Sequence, residues 1–282
     1  GAPAGGRRPP PTVERAHRST DARRRGDTMK IGAMDNVLAK PWNELFGEAA
    51  RLGFDGVELD LRPDTYLESE IWSDEGRRAL KERSERTGVE IASVCMDGVA
   101  SLMTKQGTHD ACVQAVADLR RYCDELGAGV ILFPMSKQAD QSEEEAVAMW
   151  RDGFKAAFGA SQGCRARVGM ESVGRTGRSA DQALAMIEAV NSPVLGVYYD
   201  VGNADYQSFD PIAEIDKLGK HIVQIHVKEI GAEMGQGKLD FPAIFAAIKR
   251  VGYDGYLMLE TEAGDDPAAN AARNRDFVKS LL

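Results

Sequence analysis

The stretch Val168-Gly-Met-Glu171-Ser-Val-Gly174 is a short apolar run that ends on a carboxylate and then breaks into a loop. Three later runs end in the same manner: Gly196-Val-Tyr-Tyr-Asp200, Ile222-Val-Gln-Ile-His226 and Gly255-Tyr-Leu-Met-Leu-Glu260. Their polar ends lie roughly 25 to 35 residues apart, the length of one strand-helix unit. On successive parallel strands of a barrel these four side chains would meet at one rim, and a Glu, an Asp, a His and a Glu converging there make a site for a divalent cation.

The rest of the chain repeats that unit. From Met29 onward, eight short apolar runs alternate with eight longer amphipathic ones, the periodicities of strand and helix. The expected strands are 30–34, 56–59, 90–95, 130–133, 167–171, 196–200, 222–226 and 255–260. Helices are expected over 42–52, 75–87, 110–126, 143–162, 181–190, 211–218, 241–251 and 267–282. Gly53, Gly88, Gly127 and Gly252 each stand between an amphipathic run and the next strand, where a left-handed cap ends a helix. Leu52-Gly-Phe-Asp-Gly-Val-Glu58 is echoed by Val251-Gly-Tyr-Asp-Gly-Tyr256, one helix-to-strand connection used twice. Eight such units without a long linker predict a single α/β domain, a closed (β/α)8 TIM barrel over residues 29–282, with its reactive groups at the C-terminal ends of the strands. A doubly wound open sheet is the alternative architecture.

Residues 1–28 read differently. Seven arginines stand against Glu14, Asp21 and Asp27, a net charge of +4 in a chain whose total is -9, so the body carries -13. Three consecutive prolines and few apolar residues leave this segment too little to bury against its ordering entropy. It is expected to be a disordered, basic N-terminal extension, with no apolar core of an export signal following the arginines. The acidic body argues against nucleic acid as a partner, since phosphate neutralisation requires surplus Lys and Arg. Cys95, Cys112, Cys123 and Cys164 lack metal-binding spacing and read as reduced thiols. No apolar stretch reaches the length of a membrane span, and the expected location is cytoplasmic.

Each polar strand end taken alone reads as a solvated surface group. Their joint position at four strand ends is what implies a shared site. His226 is one of only four histidines and precedes Lys228 and Glu229 at a strand exit, which places it on a wet rim rather than in a dry core. Three carboxylates and an imidazole favour Mn2+, the first expectation, or Mg2+, Co2+ or Zn2+. Without a cation, three carboxylates gathered there would repel one another and rise in pKa.

With Met170-Glu171-Ser172, Asp200-Val-Gly-Asn203, His226-Val-Lys-Glu229, Gly235-Gln-Gly-Lys-Leu-Asp-Phe241 and Gly252-Tyr-Asp-Gly-Tyr-Leu-Met-Leu-Glu260 in view, residues 29–282 resemble the sugar-phosphate isomerase/epimerase superfamily, the xylose isomerase-like TIM barrels. That resemblance implies that Glu171, Asp200, His226 and Glu260 bind the metal. It also implies that Glu171 and Glu260 shuttle a proton through a cis-enediolate of a ketose or ketose phosphate. Glu171 and Glu260 are thus the expected catalytic pair and a small sugar or sugar phosphate the expected partner; a homo-oligomer is common among such barrels.

Asn203 is a candidate for holding a substrate hydroxyl, or else a turn residue after Gly202. Lys228 could bind a hydroxyl or phosphate and Arg175 a phosphate; a solvated surface role is the alternative for both. Glu58 is expected to face the rim as a pocket-lining group, with Asp60, Cys95, Met96 and Asp97 beside it. The chain departs from free-ketose epimerases in two places: Glu229 to Glu233 lacks an arginine found after the metal-binding His, and Gly177 stands where a further Glu is frequent. A dehydratase using the same enediolate, and a non-catalytic sugar-binding barrel, are the competing functions. Three histidines in an acidic body are too few for a multi-metal nuclease centre.

Overall fold

The computed structural model describes residues 1, 29–174 and 178–282. The expected disorder of the basic extension concerns residues that, Gly1 apart, lie outside the described set. Eight strands, β1 Lys30–Met34, β2 Gly56–Asp60, β3 Glu90–Cys95, β4 Val130–Pro134, β5 Arg167–Glu171, β6 Leu195–Asp200, β7 Ile222–Val227 and β8 Tyr256–Leu259, close in sequence order into one barrel. Every neighbouring pair is parallel, β8 returning to β1 through the register Lys30 to Tyr256. The open-sheet alternative is excluded.

Each strand is followed by helix. Those at the barrel mouth are short: α1 Asp35–Leu38 after β1, α4 Asp97–Ala100 after β3 and α8 Val201–Tyr206 after β6. The longer ones form the outer ring: α2 Trp42–Leu52, α3 Asp74–Thr87, α5 His109–Leu126, α6 Glu143–Ala160, α7 Ala180–Val190, α9 Pro211–Leu218, α10 Phe241–Arg250 and α11 Pro267–Leu281. Local chemistry sets their ends. Ser142 and Ser179 open α6 and α7 with reciprocal capping boxes through Glu145 and Gln182, which satisfy otherwise unpaired N–H groups at each start. Gly53, Gly88 and Gly127 close α2, α3 and α5 with φ of 75°, 73° and 80°, a region where only glycine is free of a Cβ penalty. Gly252 also takes the predicted left-handed conformation, φ 75°, one residue after the right-handed Val251 that caps α10.

The core lies between strands and helices, with Phe46, Phe133, Trp150, Phe154, Phe241 and Phe245 among its largest buried members. Inside the barrel the floor is tight. A Cβ at Gly32 on β1 would stand 2.4 Å from Met258 Sδ on β8, so the absent side chain at Gly32 is what admits Met258. Above this floor the interior becomes polar: Glu58, Ser93 and Gln224 are 0–2% exposed, where barrels ordinarily stack Val, Ile and Leu. No helix among the described residues is long and apolar enough to cross a membrane.

Candidate metal centre

Glu171, Asp200 and His226 end or nearly end β5, β6 and β7, and Glu260 follows β8 directly. β6 and β7 set Asp200 beside His226 in register. Closure of the barrel turns all four groups inward, and each offers one ligand atom within 4.8 Å of the others. His226 Nδ1 lies 3.1 Å from Glu171 Oε1, 2.9 Å from Glu260 Oε2 and 3.9 Å from Asp200 Oδ2. The first three residues are 1–5% exposed and the Glu260 side chain is 24% exposed, so the site opens on the side of β8.

Asp200 divides its two oxygens between two tasks. Oδ1 accepts the backbone N–H groups of Gly202 and Asn203 at 2.8 and 2.9 Å, the N-cap bonds that start α8. Oδ2 is buried and receives no well-directed hydrogen bond, although Lys228 Nζ stands 2.7 Å away. An oxygen whose close partner is Lys228 alone, facing two further carboxylates and an imidazole nitrogen, is the environment a hard divalent cation fits. Lys228 also bonds Glu260 Oε2 at 2.7 Å, and its stem is seated on Gly202, where a Cβ would lie 2.6 Å from Lys228 Cγ.

The protein groups by themselves leave this cluster electrostatically strained. Burial pushes the Glu171 carboxyl up to about 8, with the Glu260 charge adding and the His226 hydrogen bond opposing. Burial raises Asp200 as well, against the pull of Lys228. Burial would lower His226, but the charges of Glu260 and Glu58 outweigh it and hold the imidazole well above its ordinary value. For Glu260 the penalty of burial is overcome by His226 and Lys228, and its carboxyl falls below the usual range. A bound cation would offset both the loss of solvation and the repulsion among the three carboxylates.

The other expected site residues fall in different places. Asn203 lies in the first turn of α8, its amide donating to Ser172 O at 3.2 Å, which ties the loop after β5 to the loop after β6. Lys228 is at the mouth, held by the two carboxylates just described. Arg175 lies outside the described residues. Glu58 is not at the rim: it is 0% exposed, and its carboxylate faces His226 Nε2 at 2.9 Å, Ser93 Oγ at 2.5 Å and Tyr198 OH at 2.7 Å. β2 runs one residue further than the sequence suggested, to Asp60, so Asp60 takes the strand end and Glu58 stands one layer below. Asp60 is carried up to about 7 by burial, then by Asp35 and Asp97, and its Oδ1 has no hydrogen-bond partner. Ser93, Tyr198 and Gln224 were not singled out from the sequence. Their signal was a polar side chain at inward positions of otherwise apolar strands, two residues short of a strand end.

The sequence profile of the family described as xylose isomerase-like TIM barrel matches residues 46–281, across seven of the eight strands and all four polar strand ends. The chain belongs to that family. Within its range of relatives, L-ribulose-5-phosphate 3-epimerase UlaE of Salmonella paratyphi C (strain RKS4594) is 30% identical over 257 residues, 86% of this chain and 90% of that protein. UlaE of Escherichia coli (strain SMS-3-5 / SECEC) is 29% identical over the same shares. Among solved structures, D-allulose 3-epimerase from Methylomonas sp. in complex with D-allulose superposes with a TM-score of 0.76 at 16% identity, covering 90% of this chain and 98% of that one. D-psicose 3-epimerase with D-tagatose from Clostridium cellulolyticum H10 gives a TM-score of 0.77 at 15% identity, covering 90% and 99%. These family structures share the barrel at an identity that speaks for the fold alone.

Proposed function

We propose that this chain is a divalent-metal-dependent epimerase or isomerase of a ketose or ketose phosphate, with Glu171 and Glu260 moving the proton. The observation that carries the reading is the meeting of Glu171, Asp200, His226 and Glu260, from four consecutive strands, within 4.8 Å. The relatives add support, being named 3-epimerases of a ketose phosphate and of free ketoses. Glu171, Asp200, His226 and Glu260 would hold the ion, Mn2+ in first place, with Mg2+, Co2+ and Zn2+ as the other members of the class. When bound, the ion supplies charge stabilisation for the anion that develops as a C–H proton next to the carbonyl leaves.

The remaining work belongs to the side chains. Glu171, a buried carboxyl at the end of β5, takes and returns a proton. Glu260 follows β8, three strands on from the one that ends in Glu171, and is steadied by Lys228. Proton removal by one glutamate and return by the other to the opposite face inverts the carbon, which is epimerisation; return to the adjacent carbon is isomerisation. Asn203 and Lys228 border the mouth and supply an amide and an ammonium for substrate oxygens. We assign all of this to residues 29–282.

Incubation of the EDTA-treated protein with a panel of ketoses and ketose phosphates in D2O, before and after addition of Mn2+, tests the reading. Metal-dependent deuterium at the carbon beside the carbonyl, with appearance of the C3 epimer, is expected. Exchange unaffected by EDTA, or no exchange with any sugar, overturns it.

A further inference from the structure

Below the four ligand groups the barrel holds a second polar layer that proton transfer does not use: Glu58 on β2, Ser93 on β3, Tyr198 on β6 and Gln224 on β7, each at most 2% exposed. Its hydrogen atoms can be counted. Gln224 Nε2 donates to Ser93 Oγ at 2.6 Å and to Tyr198 OH at 2.9 Å, which uses both amide protons. Each hydroxyl then has one proton to give, and both give it to Glu58 Oε2, at 2.5 and 2.7 Å. The other carboxylate oxygen, Oε1, faces His226 Nε2 at 2.9 Å. Two donors on Oε2 suit the carboxylate form, and the partner that matches a carboxylate Oε1 is an Nε2 that carries the ring hydrogen. The opposite orientation of the Gln224 amide would draw both hydroxyl protons to its carbonyl and strip Glu58 Oε2 of its donors, leaving a bare carboxylate oxygen in the core.

We infer that this one-way relay, from Gln224 through Ser93 and Tyr198 to Glu58, selects the His226 tautomer whose Nδ1 lone pair faces Glu171, Asp200 and Glu260. Glu58 and Gln224 are therefore positioning residues for the centre, and this role rests on the metal reading given above. The edge-on contact of the Tyr198 and His226 rings, centroids 4.5 Å apart, keeps the imidazole plane from turning while the relay fixes its hydrogen.

The direction of the relay makes Glu58→Gln informative, since that change keeps shape and removes only the pattern of donors. With the new amide oxygen on His226, its NH2 group meets two hydroxyls that already point their protons at it. With the amide reversed, the NH2 group faces Nε2, the ring hydrogen moves to Nδ1, and the ligand is lost. Combining Glu58→Gln with Gln224→Glu reverses every bond in the layer at once. The new carboxylate at position 224 accepts from both hydroxyls, both hydroxyls accept from the new amide at position 58, and the amide oxygen still accepts from His226 Nε2.

Full-length wild type, E58Q, Q224E and the E58Q/Q224E pair are titrated calorimetrically with Mn2+ and, separately, melted in EDTA. E58Q is expected to weaken Mn2+ binding by about 10- to 100-fold, the usual consequence of losing the partner of a ligating His, and the double variant to recover most of that loss. Long-range 1H–15N spectra of the zinc-loaded wild type should show the His226 hydrogen on Nε2. In EDTA the double variant should melt closer to wild type than either single variant; an E58Q that fails to fold beside a double variant that folds is the same rescue. Equal Mn2+ affinity in E58Q and wild type, a hydrogen on Nδ1, or a double variant no more stable than the singles overturns the relay. A wild type that binds no Mn2+ removes the metal reading instead, and the melting cycle in EDTA still decides the relay.

Discussion

Because Asp200 assigns one oxygen to the N-cap of α8 and turns the other toward Lys228 and the neighbouring carboxylates, Asp200→Asn and Asp200→Ala should fail differently. Both remove the charge beside Lys228. Asn keeps an oxygen able to cap α8, whereas Ala keeps none, so their difference in EDTA isolates the cap, about 0.5–2 kcal/mol, or about 1–8 °C in Tm at roughly 2–4 °C per kcal/mol for a chain of this size. Ion binding is read on the same melts. At a concentration 100 times its Kd, Mn2+ should stabilise the wild type by about 2.7 kcal/mol, about 5–11 °C. If loss of the anionic Oδ2 weakens the site 100-fold, the same concentration retains only about 0.4 kcal/mol, about 1 °C. The expected pattern is therefore an EDTA Tm higher for Asp200→Asn than for Asp200→Ala, and almost no Mn2+ response in either. A full Mn2+ shift in Asp200→Asn would show that Oδ2 is not a ligand, and equal EDTA melts would show that the cap contributes nothing.

Glu171→Gln and Glu260→Gln should each lower deuterium exchange by about 10²- to 10⁴-fold, the span of general acid-base catalysis; exchange at the wild-type rate in either would remove that residue from the proton path. Gly202→Ala forces a methyl against the Lys228 stem and should cost about 1–3 kcal/mol by overpacking, read as a lowered denaturant midpoint, and an unchanged midpoint would mean that Lys228 moves freely. Asp60 tests the acidic mouth. Its folded pKa, raised to about 7 by burial before the charges of Asp35 and Asp97, exceeds the unfolded value, so the folded state binds the extra proton and stability falls as pH rises from about 4 to about 7. Asp60→Asn should remove that fall and gain relative to wild type by at most about 4 kcal/mol at pH 8 while gaining little at pH 4; a gain independent of pH would contradict the raised pKa.

The barrel was legible in the sequence because its cues are local. Apolar runs of strand length, glycines able to take positive φ, and a helix-to-strand phrase used twice all lie within a few residues, and no strand end drawn from them differs from the structure by more than one residue. The four polar groups that meet at the mouth were legible for a related reason: a polar residue that stops an apolar run marks a strand end whatever the rest of the fold does. Helices α1, α4 and α8, of four, four and six residues, span too few turns to show a period, so the mouth read as loop. Glu58 was misplaced because its partner on His226 lies 168 residues away and is met only when β2 faces β7 across the closed interior. A one-residue difference in the length of β2 was enough to move it from the wall of the mouth to the layer beneath.

All four proposed ligands come from β5 to β8, while β1 to β4 contribute to the mouth without supplying one. The proposed ion-holding groups are therefore confined to the second half of the chain. Glu58 ties the first half to that arrangement: the strand that carries it must keep its register, since a slip of one residue would turn its carboxyl out of the interior and leave His226 Nε2 without its partner.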